Sequence, residues 1–220
     1  HWDGNAWTQY HLWDMGVLDQ NDGGVTRIWG SSPNDIYFVG RRGTIVHYDG
    51  SGWQRMESGT ELPIQDIWGA WNEREGKWEI LAVAEDYGNP GGSKILSIDS
   101  SVREMLTEGL LSWSIWGVWF VPNHSYIVVG SGVWRSYSIK GRWSLDDTLP
   151  RLFSTSIDGQ DLNDIVVCGA FWLLAHWNGM SWKTYFPRTF GSFTAVQIKD
   201  DLIVAVGGAD NKAIIAFGIR

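Results

Sequence analysis

Acidic residues are the first candidates for chemistry, because glycoside hydrolysis needs two carboxyls that converge on one bond. Asp66 and Asp158 are predicted to lie on the innermost strands of two repeats. They occupy different positions of non-adjacent repeats, so they meet this requirement poorly. We therefore predict a chain without catalytic residues, keep both aspartates as candidate ligand-binding residues, and leave a glycoside hydrolase as the minor alternative.

Tryptophan is the second candidate, with 16 copies in 220 residues. Trp71 and Trp119 both lie four residues after a repeated isoleucine, where the first strand of a repeat gives way to a loop. A flat aromatic ring beside polar groups suits the apolar face and the hydroxyls of a sugar. This pair is therefore the leading candidate for a glycan site. The alternative, in which both rings fold back onto the core, stays open.

Three further tryptophans share one position on the first strand of three repeats: Trp29, Trp68 and Trp116. Alternate residues of a strand face different neighbours. These rings therefore either pack one repeat against the next or contribute to a ligand site near the centre of the fold, and both interpretations stay open.

Histidine and cysteine offer little further chemistry. His1, His47 and His176 occupy one repeat position in separate repeats, too far apart to share an ion, and His11 and His124 have no spaced partners. The single cysteine, Cys168, replaces a valine of the first repeat on a predicted strand and is interpreted as a buried, inert thiol. We predict neither a metal site nor a cofactor.

Composition excludes several classes of protein. The net charge is −8, and no basic block is present to bind a phosphate backbone, so a nucleic-acid partner is not expected. The longest nearly uncharged apolar run, residues 165–175, is too short to cross a bilayer, so no membrane insertion is expected. A content of 44% hydrophobic and 14% aromatic residues excludes disorder.

An internal repeat organises the chain. The motifs Ile28-Trp29-Gly30, Asn34-Asp35-Ile36-Tyr37 and His47-Tyr48-Asp49-Gly50 recur without a gap 129 residues later, from Ile157 onward. Looser copies begin at Ile67, Ile115 and Val196, and the second copy carries an insert at residues 72–77. Short β-branched and aromatic runs broken by Asp-Gly or Asn-Gly are typical of antiparallel strands joined by tight hairpins.

Four strands per repeat of about 40 residues predict an all-β, five-bladed β-propeller that forms one domain over residues 1–220. The expected blades span approximately residues 25–63, 64–111, 112–153, 154–191 and 192–220. Residues 1–7 match residues 47–53 position by position. The N-terminal segment, residues 1–10, is therefore predicted to supply the fourth strand of the last blade and close the ring.

The repeat resembles the blades of bacterial secreted and surface β-propeller proteins and, more distantly, those of WD-repeat, kelch-type and five-bladed lectin propellers. This resemblance implies a non-enzymatic recognition module, secreted or at the cell surface, that binds a glycan or another extracellular ligand on one face. A rigid scaffold for protein interactions within a larger surface assembly is the alternative. The expected partner is accordingly a glycan or a protein.

Overall fold

A computed structural model describes residues 1–85, 92–105, 114–185 and 190–219 of the chain. These residues form five antiparallel sheets, in which neighbouring strands are also neighbours in sequence. We refer to the sheets as blades one to five. The all-β class expected from the repeat is confirmed.

The strands are as follows. Blade one contains β1 (Val25–Ser32), β2 (Asp35–Gly40), β3 (Ile45–Tyr48) and β4 (Trp53–Met56), with a short 3-10 turn at Arg41–Gly43. Blade two contains β5 (Ile64–Asn72), β6 (Lys77–Ala84), β7 (Lys94–Ile98) and β8 (Val102–Met105). Blade three contains β9 (Ile115–Val121), β10 (Ser125–Gly130), β11 (Gly132–Ser136) and β12 (Ser144–Leu145). Blade four contains β13 (Ser154–Asp161), β14 (Asp164–Gly169), β15 (Leu174–Trp177) and β16 (Trp182–Tyr185). Blade five contains β17 (Ser192–Lys199), β18 (Leu202–Ala209) and β19 (Lys212–Ile219).

Blades one and four follow the sequence repeat strand for strand. Each strand of blade one begins 129 residues before its counterpart in blade four, as with Val25 and Ser154. The turn after the third strand needs a glycine in both blades, because Gly50 and Gly179 adopt φ values of 86° and 89°. Equal turns and equal hydrophobic alternation give the two blades the same register.

The core lies between blades, face against face. The first strands of consecutive blades contact one another from β1 to β17. Each blade has a leading face, which we define as the one toward the preceding blade, and a trailing face toward the following one. Val39 and Ile45 on the trailing face of blade one pack with Ile67 and Ile80 on the leading face of blade two. Burial of such apolar faces stabilises the stack of blades.

The structure does not show the predicted closure of the ring. Within the described residues, blade five has three strands, and β19 pairs only with β18. Residues 1–8 form a short hairpin of their own, closed by a bridge between Trp2 and Trp7. The segment that follows lies against blade one, where the Tyr10 ring is 5.1 Å from that of Trp53. Contact with the aromatic side chains of blade one has replaced pairing with β19.

Candidate functional site

The most accessible predicted ring is Trp71, which lies near the end of β5. It is directly opposite Trp78 of β6 in the strand register. The two rings are nearly perpendicular, with centroids 5.8 Å apart, and their residues are 44% and 38% exposed. Edge-to-face packing orients both rings, and each still offers surface to a ligand. We call this pair the tryptophan shelf.

Trp29 of blade one packs against the shelf. Its ring lies 5.5 Å from that of Trp78 and packs over Gly69 of β5. A Cβ atom at position 69 would lie only 2.4 Å from the Trp29 ring, so only glycine leaves room for it. The structure thus brings Trp29 and Trp71 together through Trp78, across the boundary between blades one and two.

Trp119 does not belong to this surface. It is 2% exposed, and its indole N–H donates a hydrogen bond of 3.0 Å to the carbonyl oxygen of Gly159 in blade four. Trp71 sits one residue pair from the end of its hairpin, whereas Trp119 pairs with Ile127 inside the sheet. Trp119 therefore packs blade three against blade four, and the two rings do not form a common platform.

Trp68 and Trp116 have other surroundings. Both are half-buried. The Trp68 indole N–H donates to the carbonyl oxygen of Phe120 in the next blade at 3.3 Å. Trp116 meets Phe153 edge to face at 5.5 Å and lines a separate cleft with Arg27 and Gln65. These rings contact neighbouring blades and lie apart from the shelf.

Asp66 and Asp158 each connect two blades. Asp66 accepts a hydrogen bond from the backbone N–H of Val118 at 3.1 Å, and Asp158 accepts one from Ile198 at 2.9 Å. Burial raises the pKa of Asp66 to about 7, against the lowering effects of the Val118 N–H and of Arg27. Burial likewise raises the pKa of Asp158. Both carboxyls are used in holding one inner strand to the next, which accounts for their positions.

A groove of about 750 Å³ lies along blades two and three and shares Trp78 with the shelf. Asn72, Glu79 and Tyr126 line it together with Trp78. The insert at residues 72–77 forms the turn above this groove, since Asn72 pairs with Lys77 at the end of the hairpin. The feature that distinguishes the second repeat in sequence therefore builds one wall of the groove.

A hydrogen-bonded network fixes the polar groups of the groove. The side-chain amide of Asn72 donates to Glu79 at 2.9 Å, and the amide of Asn123 donates to the Asn72 side-chain oxygen at 2.8 Å. The backbone N–H of Asn123 donates in turn to the Tyr126 hydroxyl at 3.2 Å. Asn72 and Tyr126 are only 2% and 4% exposed, and burial raises the Tyr126 pKa. The network holds amide and carboxylate groups in one geometry before any ligand binds.

Charges along the groove nearly balance. Its lining contains four carboxylates and three cations: Glu75, Glu79, Asp99, Glu104, Lys77, Arg103 and Lys140. Several of them pair with each other, such as Lys77 with Glu75 at 2.9 Å. A mixed lining of this kind gives no strong field of one sign, which favours a neutral, hydroxyl-rich ligand over a polyanion.

The sequence analysis did not select Trp78 as a candidate site residue, although the length of the insert indicates its position. The insert at residues 72–77 is a turn, and a hairpin closed by residues 72 and 77 places residue 78 opposite residue 71. The Asn72–Asn123 hydrogen bond carried no comparable signal, because the two residues are 51 positions apart and belong to different blades.

Within the ranges that the structure covers, no group of three or more His, Cys, Asp or Glu residues is placed to hold a metal ion. In the same ranges no helix has the length and hydrophobicity needed to cross a membrane. Cys168 is fully buried, and burial raises the pKa of its thiol to about 12.

Comparison with known proteins identifies the fold. No protein-family model and no curated protein matches the chain. Among solved structures, the chain is similar to YCF48 bound to D1 peptide, with a TM-score of 0.60 and 11% identity over 88% of this chain and 62% of that one. It is also similar to YCF48 from Cyanidioschyzon merolae, with a TM-score of 0.61 and 14% identity over 92% of this chain and 74% of that one. An ancestral GH74 enzyme gives a TM-score of 0.61 and 13% identity over 89% of this chain and 30% of that one.

These structural neighbours are β-propellers. The chain has the β-propeller fold. It spans about 62% of the length of the first of these neighbours, and at such low identity the likeness carries the fold alone.

Proposed function

We propose that the chain is a non-enzymatic recognition module that binds a glycan on the tryptophan shelf and in the adjoining groove. The observation that carries the proposal is the shelf itself. Trp71 and Trp78 offer two partly exposed rings held at a fixed angle. Trp78 also lines the groove that contains the amide and carboxylate groups of Asn72 and Glu79. The rings offer an apolar surface on which a sugar face can stack, and the fixed polar groups orient the sugar by hydrogen bonds to its hydroxyls.

Preorganisation supports this assignment. Trp29 backs the shelf, and the hydrogen bond between Asn123 and Asn72 joins blade three to the turn above the groove. A ligand therefore meets side chains that are already ordered, which lowers the entropy cost of binding. A secreted or cell-surface location, which the sequence resemblance implies, belongs to the same proposal because glycans are abundant there.

A glycan-array screen of the full chain, followed by titration of each hit against tryptophan fluorescence, tests the proposal. Trp71→Ala and Trp78→Ala should each weaken binding about tenfold, the effect of losing one aromatic contact. The matched control is Trp7→Ala, which removes a tryptophan that is 78% exposed on the N-terminal hairpin. Equal affinity in all four proteins would remove the site assignment, and a blank array would overturn glycan binding.

A rigid protein-interaction scaffold is the second candidate. Its support is the paired charges along the groove, such as Lys77 with Glu75 at 2.9 Å, which could exchange for charges of a peptide. The same fold occurs in YCF48 bound to D1 peptide. A peptide array probed with the wild-type chain and with Trp78→Ala distinguishes the two, because a peptide hit that depends on Trp78 would favour this candidate.

Glycoside hydrolysis is not part of the proposal. The hydrogen bonds from Val118 to Asp66 and from Ile198 to Asp158 give both carboxyls a structural role. Neither lines the groove beside Trp78.

A further inference from the structure

A cleft of about 820 Å³ lies where blades one, two and three meet, at the opposite end of β5 from the tryptophan shelf. Gln65, near the start of β5, lines the cleft, and Trp71 of the shelf follows it by six residues. A strand advances by about 3.3 Å per residue, so these two residues are about 20 Å apart. The cleft is therefore a separate site, and its chemistry does not depend on the proposed glycan binding.

Positive charge is concentrated in this cleft. Its lining contains three arginines and two acidic residues: Arg27, Arg41, Arg42, Asp22 and Glu61. Asp22 is bound by Arg55, whose Nε atom lies 2.6 Å from its Oδ1 atom, and the Asp22 side chain is only 5% exposed. Three guanidinium groups of the lining are therefore opposed by one remaining carboxylate, that of Glu61, in a chain with a net charge of −8.

Arg27 also lies beside a buried carboxyl group. Its Nε atom is 3.9 Å from the Oδ1 atom of Asp66. Burial raises the pKa of Asp66 to about 7, so near neutral pH this carboxyl offsets the charge of Arg27 only in part. The Arg27 side chain is 41% exposed, and it remains accessible to a ligand from the cleft.

The repeat does not account for the three arginines. Their counterparts in blade four, 129 residues later, are uncharged: Ser156, Ala170 and Phe171. The turn keeps the same backbone with either side chain, since Arg42 and Phe171 adopt φ values of 54° and 56°. Blade four thus forms the same four-stranded sheet without a basic residue at any of these positions. Folding of a blade does not require the arginines, which points to a role in binding.

The groups that line the cleft are held in place before a ligand binds. The guanidinium group of Arg42 donates a hydrogen bond of 3.2 Å to the carbonyl oxygen of Asn21, and that of Arg27 donates one of 3.1 Å to the carbonyl oxygen of Thr26. Each guanidinium has five N–H donors, so a single bond to a carbonyl leaves others for a ligand. Trp116, whose ring is oriented by its aromatic neighbour in blade four, adds an aromatic surface to the lining.

We propose that this cleft is a second binding site, which takes a small organic anion with two or more carboxylates. Arginine binds carboxylates through paired N–H···O hydrogen bonds, and the three guanidinium groups come from two separate elements, β1 and the turn at Arg41–Gly43. The volume of about 820 Å³ suits a small molecule, and the Trp116 ring offers an apolar contact to the carbon skeleton of such an anion.

Isothermal titration calorimetry of the full chain with citrate tests the proposal, at physiological salt so that weak surface binding is screened. Citrate should bind, and acetate, which has a single carboxylate, should bind far more weakly. Arg41→Gln and Arg42→Gln should each weaken citrate binding about tenfold, because each removes one charge-assisted contact. Arg142→Gln, at an exposed site outside the cleft lining, is the charge-matched control and should bind citrate like the wild type.

Glu61→Gln gives the sharper result. It removes the carboxylate that opposes the arginines, so it should tighten citrate binding severalfold, a gain that damage to the fold would not produce. Equal citrate affinity in the wild type and both arginine variants overturns the proposal, and so does a lack of citrate binding at millimolar concentration. Tighter binding of pyrophosphate than of citrate would show a phosphate site and make the carboxylate assignment wrong.

Trp78→Ala distinguishes this cleft from the shelf. The variant should bind citrate like the wild type, and Arg41→Gln should keep whatever glycan affinity the shelf has. Loss of citrate binding in Trp78→Ala would place the anion in the groove beside the shelf and overturn the proposal, whatever the outcome of the glycan array.

Discussion

The Nε2 atom of His176 lies 2.7 Å from the Oδ1 atom of Asp164, and the two side chains are only 12% and 11% exposed. The same pair recurs in blade one, between His47 and Asp35, at the same distance. Each pair joins the second strand of its blade to the third. Two of the histidines that share a repeat position, His47 and His176, thus connect the second and third strands of their own blades.

Loss of His176 should destabilise the fold. His176→Ala leaves the buried Asp164 carboxyl without that partner, at an expected cost of about 1–3 kcal/mol in the free energy of unfolding. His47→Ala is the matched control and should cost less, because the side chains of His47 and Asp35 are 23% and 31% exposed. Urea denaturation of both variants checks the order, and an equal loss at the two sites would contradict it.

Trp71 and Trp119, which occupy equivalent positions in their repeats, should differ strongly in how much their loss lowers the free energy of unfolding. Trp119→Ala removes a buried ring and its hydrogen bond to Gly159, and is expected to cost about 3–5 kcal/mol. Trp71→Ala removes a ring that is 44% exposed, with an expected cost of about 1 kcal/mol or less. Thermal and chemical denaturation measure both values. A Trp71→Ala variant as unstable as Trp119→Ala would show that the shelf is part of the core.

Asp66 should make stability fall as the pH rises. Its pKa is about 7 in the folded chain against an unfolded value of 3.8, so between these pH values the folded state holds a proton that the unfolded state has lost. The free energy of unfolding therefore decreases from about pH 4 to about pH 7. Asp66→Asn removes this titration and should gain stability relative to the wild type over that range, by about 4 kcal/mol in total.

Asp49 provides the control for this pH dependence. Hydrogen bonds from the Ser51 hydroxyl and the backbone N–H groups of Ser51 and Gly52 lower its pKa to about 2. Its contribution to stability is therefore present above the unfolded pKa and is lost as the pH falls, the opposite direction. In denaturant titrations near pH 7, Asp66→Asn should be more stable than the wild type and Asp49→Asn less stable. Both differences should shrink as the pH falls.

Cys168 should be unreactive in the folded chain. Its thiol is buried, with a pKa raised to about 12, and the thiolate is the reactive form. At pH 8 a disulfide reagent should modify it only as fast as the chain opens, with a large acceleration in denaturant. Rapid stoichiometric labelling of the native chain would show that β14 is accessible.

Much of the architecture is readable from the repeat. The motif Ile28-Trp29-Gly30 falls on β1, Asn34-Asp35-Ile36-Tyr37 leads into β2, and His47-Tyr48-Asp49-Gly50 covers the end of β3 and the turn before β4. Alternation within a strand and glycine in a turn are local properties, so the sequence expresses them directly. Closure of the ring is not local. It depends on whether residues 1–8 pair with β19 or fold on themselves, and in the structure they form their own hairpin.

In the candidate site, too, the sequence predicts the local features and only the tertiary structure shows the contacts between blades. The sequence by itself determined that Trp71 and Trp119 follow a repeated isoleucine by four residues, and that an insert separates residues 72 and 77. Only the tertiary structure decided that one ring is exposed and the other 2% exposed. The physical reason is the neighbouring blade. Gly159 leaves a flat surface that receives Trp119, whereas the longer hairpin of blade two carries Trp71 to its tip beside Trp78.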